Sequence, residues 1–166
     1  MSKPVNYIER TRDYYLSQGY DKPYQWAHFE DVPFTAMRKP LSDCRVALVS
    51  TSDIAVRGAD GGSRDKTRED KVGSVYTIPT DTPTERLFSR QEHYDKAATH
   101  LDDVNTYFPI SRLQEAASRG RVGSISPECY GVYTAYSQKQ TVEHDAGEVL
   151  ARCRKNEVDV AVMTPV

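Results

Sequence analysis

The segment RVALVSTS, Arg45 to Ser52, is a continuous run of apolar and β-branched residues that ends in hydroxyl side chains. A strand covered by helices on both faces carries such a run, whereas a strand with one solvated face alternates apolar and polar residues. The segment therefore predicts the first strand of a parallel sheet. Ser50, Thr51 and Ser52 are expected at its carboxyl end, where α/β proteins place their ligand sites.

Helical and extended patterns alternate farther along the chain. The segment SRLQEAASRG has Ser111 and Gln114 at the spacing of a helix capping box, and Gly120 is a typical helix stop. Residues 121–126, RVGSIS, then predict another strand.

A second helix is predicted over residues 141–156, since its acidic residues lie early, its basic residues lie late, and apolar residues recur at helical spacing. The apolar stripe comprises Val142, Ala146, Val149, Leu150 and Cys153. Residues 158–165, VDVAVMTP, favour a buried final strand. Strands and helices in this order predict an α/β fold with a mostly parallel sheet and flanking helices.

The remaining segments carry weaker patterns. Residues 5–18 indicate a helix, and residues 19–40, rich in proline and aromatic side chains, favour an extended segment that wraps a surface. Residues 74–79, SVYTIP, predict a short strand, preceded by a flexible excursion after the first strand. We expect one α/β domain over residues 1–166, with an N-terminal part at 1–40 and a core at 41–166.

Composition narrows the class of protein. The chain has 166 residues, a net charge of −2, 38% hydrophobic residues and 28% charged residues, which is typical of a soluble domain with its own core. We expect no nucleic-acid partner and no membrane span, and a cytoplasmic location. Three widely spaced cysteines predict reduced thiols, and the histidines lack metal-ligand spacing, so no metal is expected.

The most specific pattern is HYDKAATHLDDVNTYFPISRLQEAASRGRVGSISPECYG, residues 93–131. It resembles the central motif of the selenoprotein B subunits of glycine, sarcosine, betaine and D-proline reductases: H-[YF]-D, then D-x-N-x-x-[FY]-P-I-x-R-L, a short helix and G-x-[IV]-G. The matching residues are His93, Tyr94, Asp95, Asp103, Asn105, Phe108, Pro109, Ile110, Arg112, Leu113, Gly120 and Gly123. Residues 39–54 and 158–166 also match, so the resemblance covers most of residues 39–166.

The resemblance implies an oxidoreductase subunit that takes part in reductive C–N bond cleavage of a small amine or amino acid. In the family, a pyruvoyl group on a partner subunit activates the substrate amine, and a selenol attacks to form a selenoether. No cofactor is expected on this chain apart from the selenocysteine that the family implies. Formation of a homo-oligomer is left open.

The family carries its selenocysteine, in a U-x-x-C arrangement, almost directly after the strand that corresponds to residues 158–165. We therefore expect the catalytic selenocysteine to follow Val166. One hypothesis is that the 166-residue chain is truncated at the UGA codon and inactive alone. The alternative is a natural short form that lacks the redox centre.

Several residues within the chain are candidates for the site. His93 and Asp95 suit either acid–base chemistry or a structural hydrogen bond. Cys129 is a candidate redox partner or nucleophile. The substrate-pocket candidates are Ser50, Thr51, Ser52, Asp103, Asn105 and Thr164. Asp103 and Asn105 also suit a turn-stabilising role ahead of the helix.

Two other classes of function stay open. A non-catalytic binding or assembly protein would retain the fold and dock a partner through the aromatic N-terminal segment. An enzyme of these 166 residues would instead use Cys129 as its nucleophile.

Overall fold

The computed structural model describes residues 5–23, 25, 26, 28–33, 35–58, 75–92, 94, 96, 97, 100–133 and 137–165. The chain divides into two compact units, Met1–Thr35 and Ala36–Val166. The first unit contains helix α1 (Tyr7–Ser17), close to the predicted bounds. At the start of α1, the side chain of Asn6 accepts a hydrogen bond from the backbone N–H of Glu9. The wrapping role expected for residues 19–40 stays a prediction.

The second unit has the expected α/β architecture. Its elements, in chain order, are β1 (Arg45–Ser50), β2 (Ile54–Val56), β3 (Val75–Pro79), β4 (Leu87–Ser89), α2 (Ile110–Ser118), β5 (Ser124–Ile125), β6 (Glu128–Val132), α3 (Gln138–Gln140), α4 (Ala146–Lys155) and β7 (Val160–Thr164). A π-helical turn, Thr141–Asp145, joins α3 to α4.

Strand β1 is central in the main sheet. It pairs in parallel with β7 on one side and with β5 and β6 on the other, while β3 runs antiparallel at the far side of β6. The prediction of a mostly parallel sheet is thus confirmed. Strands β2 and β4 form a separate antiparallel ribbon.

Both faces of β1 are covered, as its continuous apolar run predicts. Leu48 belongs to a buried cluster with Phe108 and Ile110 at the start of α2. On the opposite face, the cluster that contains Ala47 and Val49 includes two side chains of α4, Val149 and Cys153. The alternation of the strand therefore places successive β1 residues in two different cores.

The predicted cap of α2 is wrong. The helix begins at Ile110 after Pro109, with no side-chain cap, and the Ser111 hydroxyl donates instead to the side chain of Asn105 at 2.6 Å. Gly120 does end this helix region, with a φ of 68° that an L side chain rarely adopts. Ala116 and Ala117 of this helix pack against the buried cluster of Cys44, Val46 and Val122.

The predicted apolar stripe of the last helix is only partly correct. Val149 and Cys153 are buried, whereas Val142, Ala146 and Leu150 are exposed. A π turn contains more residues than an α turn, so it rotates the positions before Ala146 relative to those after it. This rotation explains why Val142 leaves the stripe.

The final strand is not buried as predicted. Strand β7 pairs with β1 alone among the described residues, and its members Ala161, Val162 and Met163 are exposed, Met163 by 70%. An apolar run alone does not distinguish a central strand from an edge strand. Its side chains are buried only where other elements cover both faces of the strand.

The sequence analysis missed three strands, β2, β4 and β6. Strand β2 lies in the segment expected to be a flexible excursion. Strand β6 begins after Pro127, which separates it from β5, the strand predicted at RVGSIS. Pro127 lacks a backbone N–H, which explains an interruption in the ladder at this point.

Candidate functional site at the carboxyl end of the sheet

A cluster of hydroxyl groups lies at the carboxyl end of β1. The hydroxyls of Ser50 and Ser52 are 2.6 Å apart, and that of Ser50 donates to the backbone carbonyl of Tyr107 at 3.0 Å. The Thr164 hydroxyl, at the end of β7, donates to the same Tyr107 carbonyl at 3.1 Å. The structure therefore brings together three of the residues proposed for a substrate pocket.

The hydroxyls of this cluster hold backbone segments together. Ser50 and Ser52 are buried, and their hydroxyls bond to each other and to the backbone carbonyls of Tyr107 and Thr164. The Ser50 hydroxyl also accepts from the Ser52 backbone N–H at 3.2 Å. The backbone N–H of Thr51, which is half-buried, donates to the Thr164 carbonyl at 3.4 Å. Buried hydroxyls with satisfied hydrogen bonds stabilise the fold, because an unpaired hydroxyl would lose its bonds to water.

The end of the β2–β4 ribbon joins this cluster. The Ser89 hydroxyl donates to the Ser52 carbonyl and accepts a hydrogen bond from the Gln91 backbone N–H at 3.0 Å. Next to it, the side chains of Asp53 and Arg90 form an ion pair of 3.2 Å. An ion pair therefore lies next to the hydroxyl cluster at the carboxyl end of β1.

The Asp53–Arg90 pair has two unusual features. Asp53 adopts a φ of 49°, in the left-handed region that non-glycine residues rarely occupy. The Nε–H of Arg90 is buried and lacks a hydrogen-bond partner among the residues that the structure describes. Strained backbone and unsatisfied buried donors concentrate at functional sites, although neither identifies a ligand by itself.

The side chain of Tyr107, whose carbonyl accepts the hydrogen bonds of the cluster, is buried. It donates to the Leu101 carbonyl at 3.3 Å, and burial is the main cause that raises the pKa of Tyr107 above its ordinary value of 10.0. The phenol therefore stays protonated at neutral pH and serves as a hydrogen-bond donor.

Asp103 and Asn105 form a separate turn ahead of α2. The Asp103 carboxylate accepts hydrogen bonds from the Asn105 backbone at 2.9 Å and from its side-chain amide at 3.2 Å. These bonds lower the pKa of Asp103, the backbone bond first. The turn-stabilising role is confirmed, and the substrate-contact role stays a prediction.

Cys129, the candidate redox partner or nucleophile, lies in the core. It is buried within β6, with its Sγ 3.4 Å from the Thr80 hydroxyl, and burial is the main cause that raises its pKa. Cys44 and Cys153 are also buried, and all three thiols are free. A thiol in this state is a poor nucleophile, because the thiolate is the reactive form.

His93 and Asp95 lie outside the described residues, so their acid–base role stays a prediction.

In the part of the chain that the structure describes, no group of three or more His, Cys, Asp and Glu side chains is arranged to hold a metal ion. No helix among the described residues is both long and apolar enough to cross a membrane.

Sequence reasoning missed three contributors to the site: Ser89, Arg90 and Tyr107. Asp53 follows the predicted first strand directly and belongs to a segment that matches the family. Its partner Arg90 lies 37 positions away, just after the unpredicted strand β4. The contribution of Tyr107 to the hydroxyl cluster is a backbone carbonyl, which every residue type carries.

Comparison of the chain with protein-family models, with curated proteins and with solved structures finds no match.

Proposed function

We propose that the protein is a redox subunit of the selenoprotein B type, from a reductase that cleaves a C–N bond in glycine, sarcosine, betaine or D-proline. The proposal depends on one observation, the resemblance of residues 93–131 to the central motif of that family. Its expected nucleophile is the selenocysteine that the family carries after the strand equivalent to β7.

The geometry at the end of β7 supports the proposal. The Thr164 hydroxyl lies 3.3 Å from the Val49 carbonyl and 3.1 Å from the Tyr107 carbonyl, so β7 ends beside the polar cluster of β1. Ligands of α/β sheets bind at such carboxyl ends. A nucleophile that follows this strand would lie at the same edge of the sheet as Asp53 and Arg90.

A charged nucleophile is compatible with this edge. A selenolate is an anion, and Arg90, which follows Ser89 of the hydroxyl cluster in the chain, carries a guanidinium that pairs with Asp53 at 3.2 Å. Nearby positive charge favours the ionised form of a thiol-like group. The selenocysteine would supply a soft nucleophile, while Ser50, Ser52 and Thr164 would hold the strand ends in place. The pyruvoyl group is expected on a partner subunit.

The first test is the reading frame beyond the codon for Val166. An in-frame UGA codon followed by x-x-C and a selenocysteine insertion hairpin would support the proposal. An ordinary stop codon with no downstream similarity would contradict it.

The second test uses the extended protein with selenocysteine or cysteine at that position, combined with the pyruvoyl-type subunit. With a dithiol such as dithiothreitol supplying the two electrons, we expect release of amine or ammonia from glycine, sarcosine or betaine, or ring opening of D-proline to an open-chain amino acid. Alkylation of that residue should abolish turnover. The matched controls are serine at the same position, which should be inactive, and C129S, which should retain turnover. Turnover that survives alkylation would reject the redox role.

A non-catalytic binding or assembly protein is the second candidate function. Large apolar side chains of the first unit are exposed, including Tyr7 at 75% and Phe29 at 68%. Exposed apolar side chains in such number are typical of interaction surfaces. For this function, Y7A and F29A should weaken binding to the pyruvoyl-type subunit, and alkylation should change nothing.

A further inference from the structure

Helix α1 has no buried residue, although one of its faces is largely apolar. At about 100° per residue, five of its positions fall on a stripe about 120° wide. This α1 stripe consists of Tyr7, Ile8, Thr11, Tyr14 and Tyr15. The side chains of Tyr7, Ile8 and Tyr14 are exposed, that of Tyr14 by 60%. On a helix of a folded protein, a stripe with this spacing typically packs on another surface.

The short length of α1 makes an uncovered stripe unfavourable. The helix has 11 residues, and isolated helices shorter than about 12–15 residues are marginally stable in water. Most of the stability of a protein helix comes from packing of its apolar face. A surface that covers the α1 stripe would therefore stabilise the helix itself.

Ring contacts order part of the α1 stripe. The Tyr15 ring packs edge-on against the Tyr14 ring, with centroids 5.9 Å apart, and its centroid lies 5.3 Å from that of Tyr20. Tyrosine is enriched in protein interfaces. Side chains that are ordered before binding lose less entropy on docking.

The charged residues of α1 are arranged around the stripe. Arg10 and Arg12 fall beside its two edges, whereas Glu9 and Asp13 fall on the opposite face. All four side chains are exposed. Neither arginine forms an ion pair among the residues that the structure describes. Helix α1 therefore offers an apolar centre between two positive edges.

This charge pattern discriminates between partners. Two copies of α1 packed through their stripes would bring arginine edges against arginine edges in either orientation, and like charges repel. An anionic membrane is disfavoured, because the two acidic and two basic residues of the helix cancel and leave no net charge to attract it. A protein surface with an apolar centre and acidic edges matches both features of α1.

We propose that α1 docks through this stripe into an apolar groove with acidic edges on a partner protein. Such a groove binds an amphipathic helix through its apolar side chains. Carboxylates at the edges would pair with Arg10 and Arg12 and so select this helix over others. The inference gives the binding role considered above a specific face and partner chemistry. It stands apart from the redox role, because no residue of the sheet takes part in it.

The test uses two designed helical-hairpin peptides as probes for the full chain. Both offer the same leucine-lined groove, with glutamates along the edges of one and lysines along the edges of the other. Calorimetric titration at about 50 mM salt should show that the glutamate peptide binds about tenfold more tightly than the lysine peptide. Equal affinity for the two peptides, or binding of neither, would overturn the proposal.

Variants assign the binding to the α1 stripe. R10E combined with R12E should reverse the preference, because both edges change sign. Y14A should weaken binding of the glutamate peptide about tenfold, since the stripe loses an aromatic side chain. D13N, on the opposite face, is the matched control and should leave the order of the two affinities unchanged. An unchanged preference in the double variant, with its helix retained by circular dichroism, would contradict the proposal.

Two further measurements identify the other possible occupants. Dimers of the chain that sedimentation detects, and that Y14A abolishes, would assign the stripe to a second copy. Binding to phosphatidylserine vesicles, with neither peptide bound, would assign it to a membrane surface. Either result would overturn the proposal.

Discussion

The hydroxyl of Ser111, in the first turn of α2, donates a hydrogen bond to the side-chain oxygen of Asn105 at 2.6 Å. Asn105 in turn donates from its backbone to Asp103. The D-x-N element of the motif therefore connects its turn to the helix that follows. Its residue pattern has a structural reason independent of any substrate.

Replacing Ser111 with alanine should lower the free energy of unfolding by about 1 kcal/mol, because a partly buried hydrogen bond is lost. Urea unfolding followed by circular dichroism measures the change. The matched control is S118A in the last turn of the same helix, where the exposed hydroxyl bonds only to the Glu115 carbonyl. A loss as large in S118A as in S111A would show that the Asn105 contact has no particular importance.

Gly123 should not tolerate a side chain. A Cβ at this position would lie 2.7 Å from the backbone carbon of Asp43 and from the carbonyl oxygen of Ser42. G123A should therefore destabilise the protein by about 1–3 kcal/mol through overpacking.

Gly147, within α4, is the matched control for Gly123. A Cβ there would meet no atom within 4 Å. G147A should stabilise the protein by about 0.5–1 kcal/mol, because alanine favours the helix. The same sign of change in both glycine variants, measured by thermal unfolding, would contradict the contact at Gly123.

Asp159 links stability to pH. A hydrogen bond from Lys39, and then one from the Arg45 backbone N–H, lower the pKa of Asp159 from its ordinary value of 3.8. A carboxylate with a lowered folded-state pKa stabilises the fold above its unfolded-state pKa, and this stabilisation is lost as the pH falls through the folded-state value.

The variant D159N should therefore be less stable than the wild type at neutral pH, and the difference should shrink as the pH falls below 3.8. Urea unfolding at a series of pH values measures it. D102N is the control, because Asp102 forms only an exposed pair with His100. A D159N difference that is independent of pH would exclude the charge as its cause.

Cys129 should react slowly with iodoacetamide in the folded protein at neutral pH. Burial raises the pKa of its thiol, so the thiolate is scarce, and access to the sulfur is limited. Mass spectrometry of the modified protein gives the rate, and the same protein in denaturant provides the reference. Rapid modification of Cys129 in the folded state would contradict this prediction and support Cys129 as a candidate nucleophile.

Sequence patterns predicted an element correctly where the residues of that element alone determine its structure. The run at Arg45–Ser50 predicted a strand covered on both faces, and Gly120 predicted the end of α2 through its backbone freedom. The predicted cap at Ser111 failed because the helix already begins at Ile110. Ser111 therefore lies inside the first turn, and its hydroxyl donates to the side chain of Asn105.

The α/β class and the polar residues after the first strand follow from the order and composition of the chain, since side-chain periodicity reflects burial on each element. Tertiary structure placed Arg90 opposite Asp53, set the Tyr107 carbonyl between Ser50 and Thr164, and left β7 at an edge. These relationships join residues far apart in the chain through backbone groups and strand pairing. No local pattern encodes them, because any residue type can supply a carbonyl and any apolar strand can lie at an edge or at the centre.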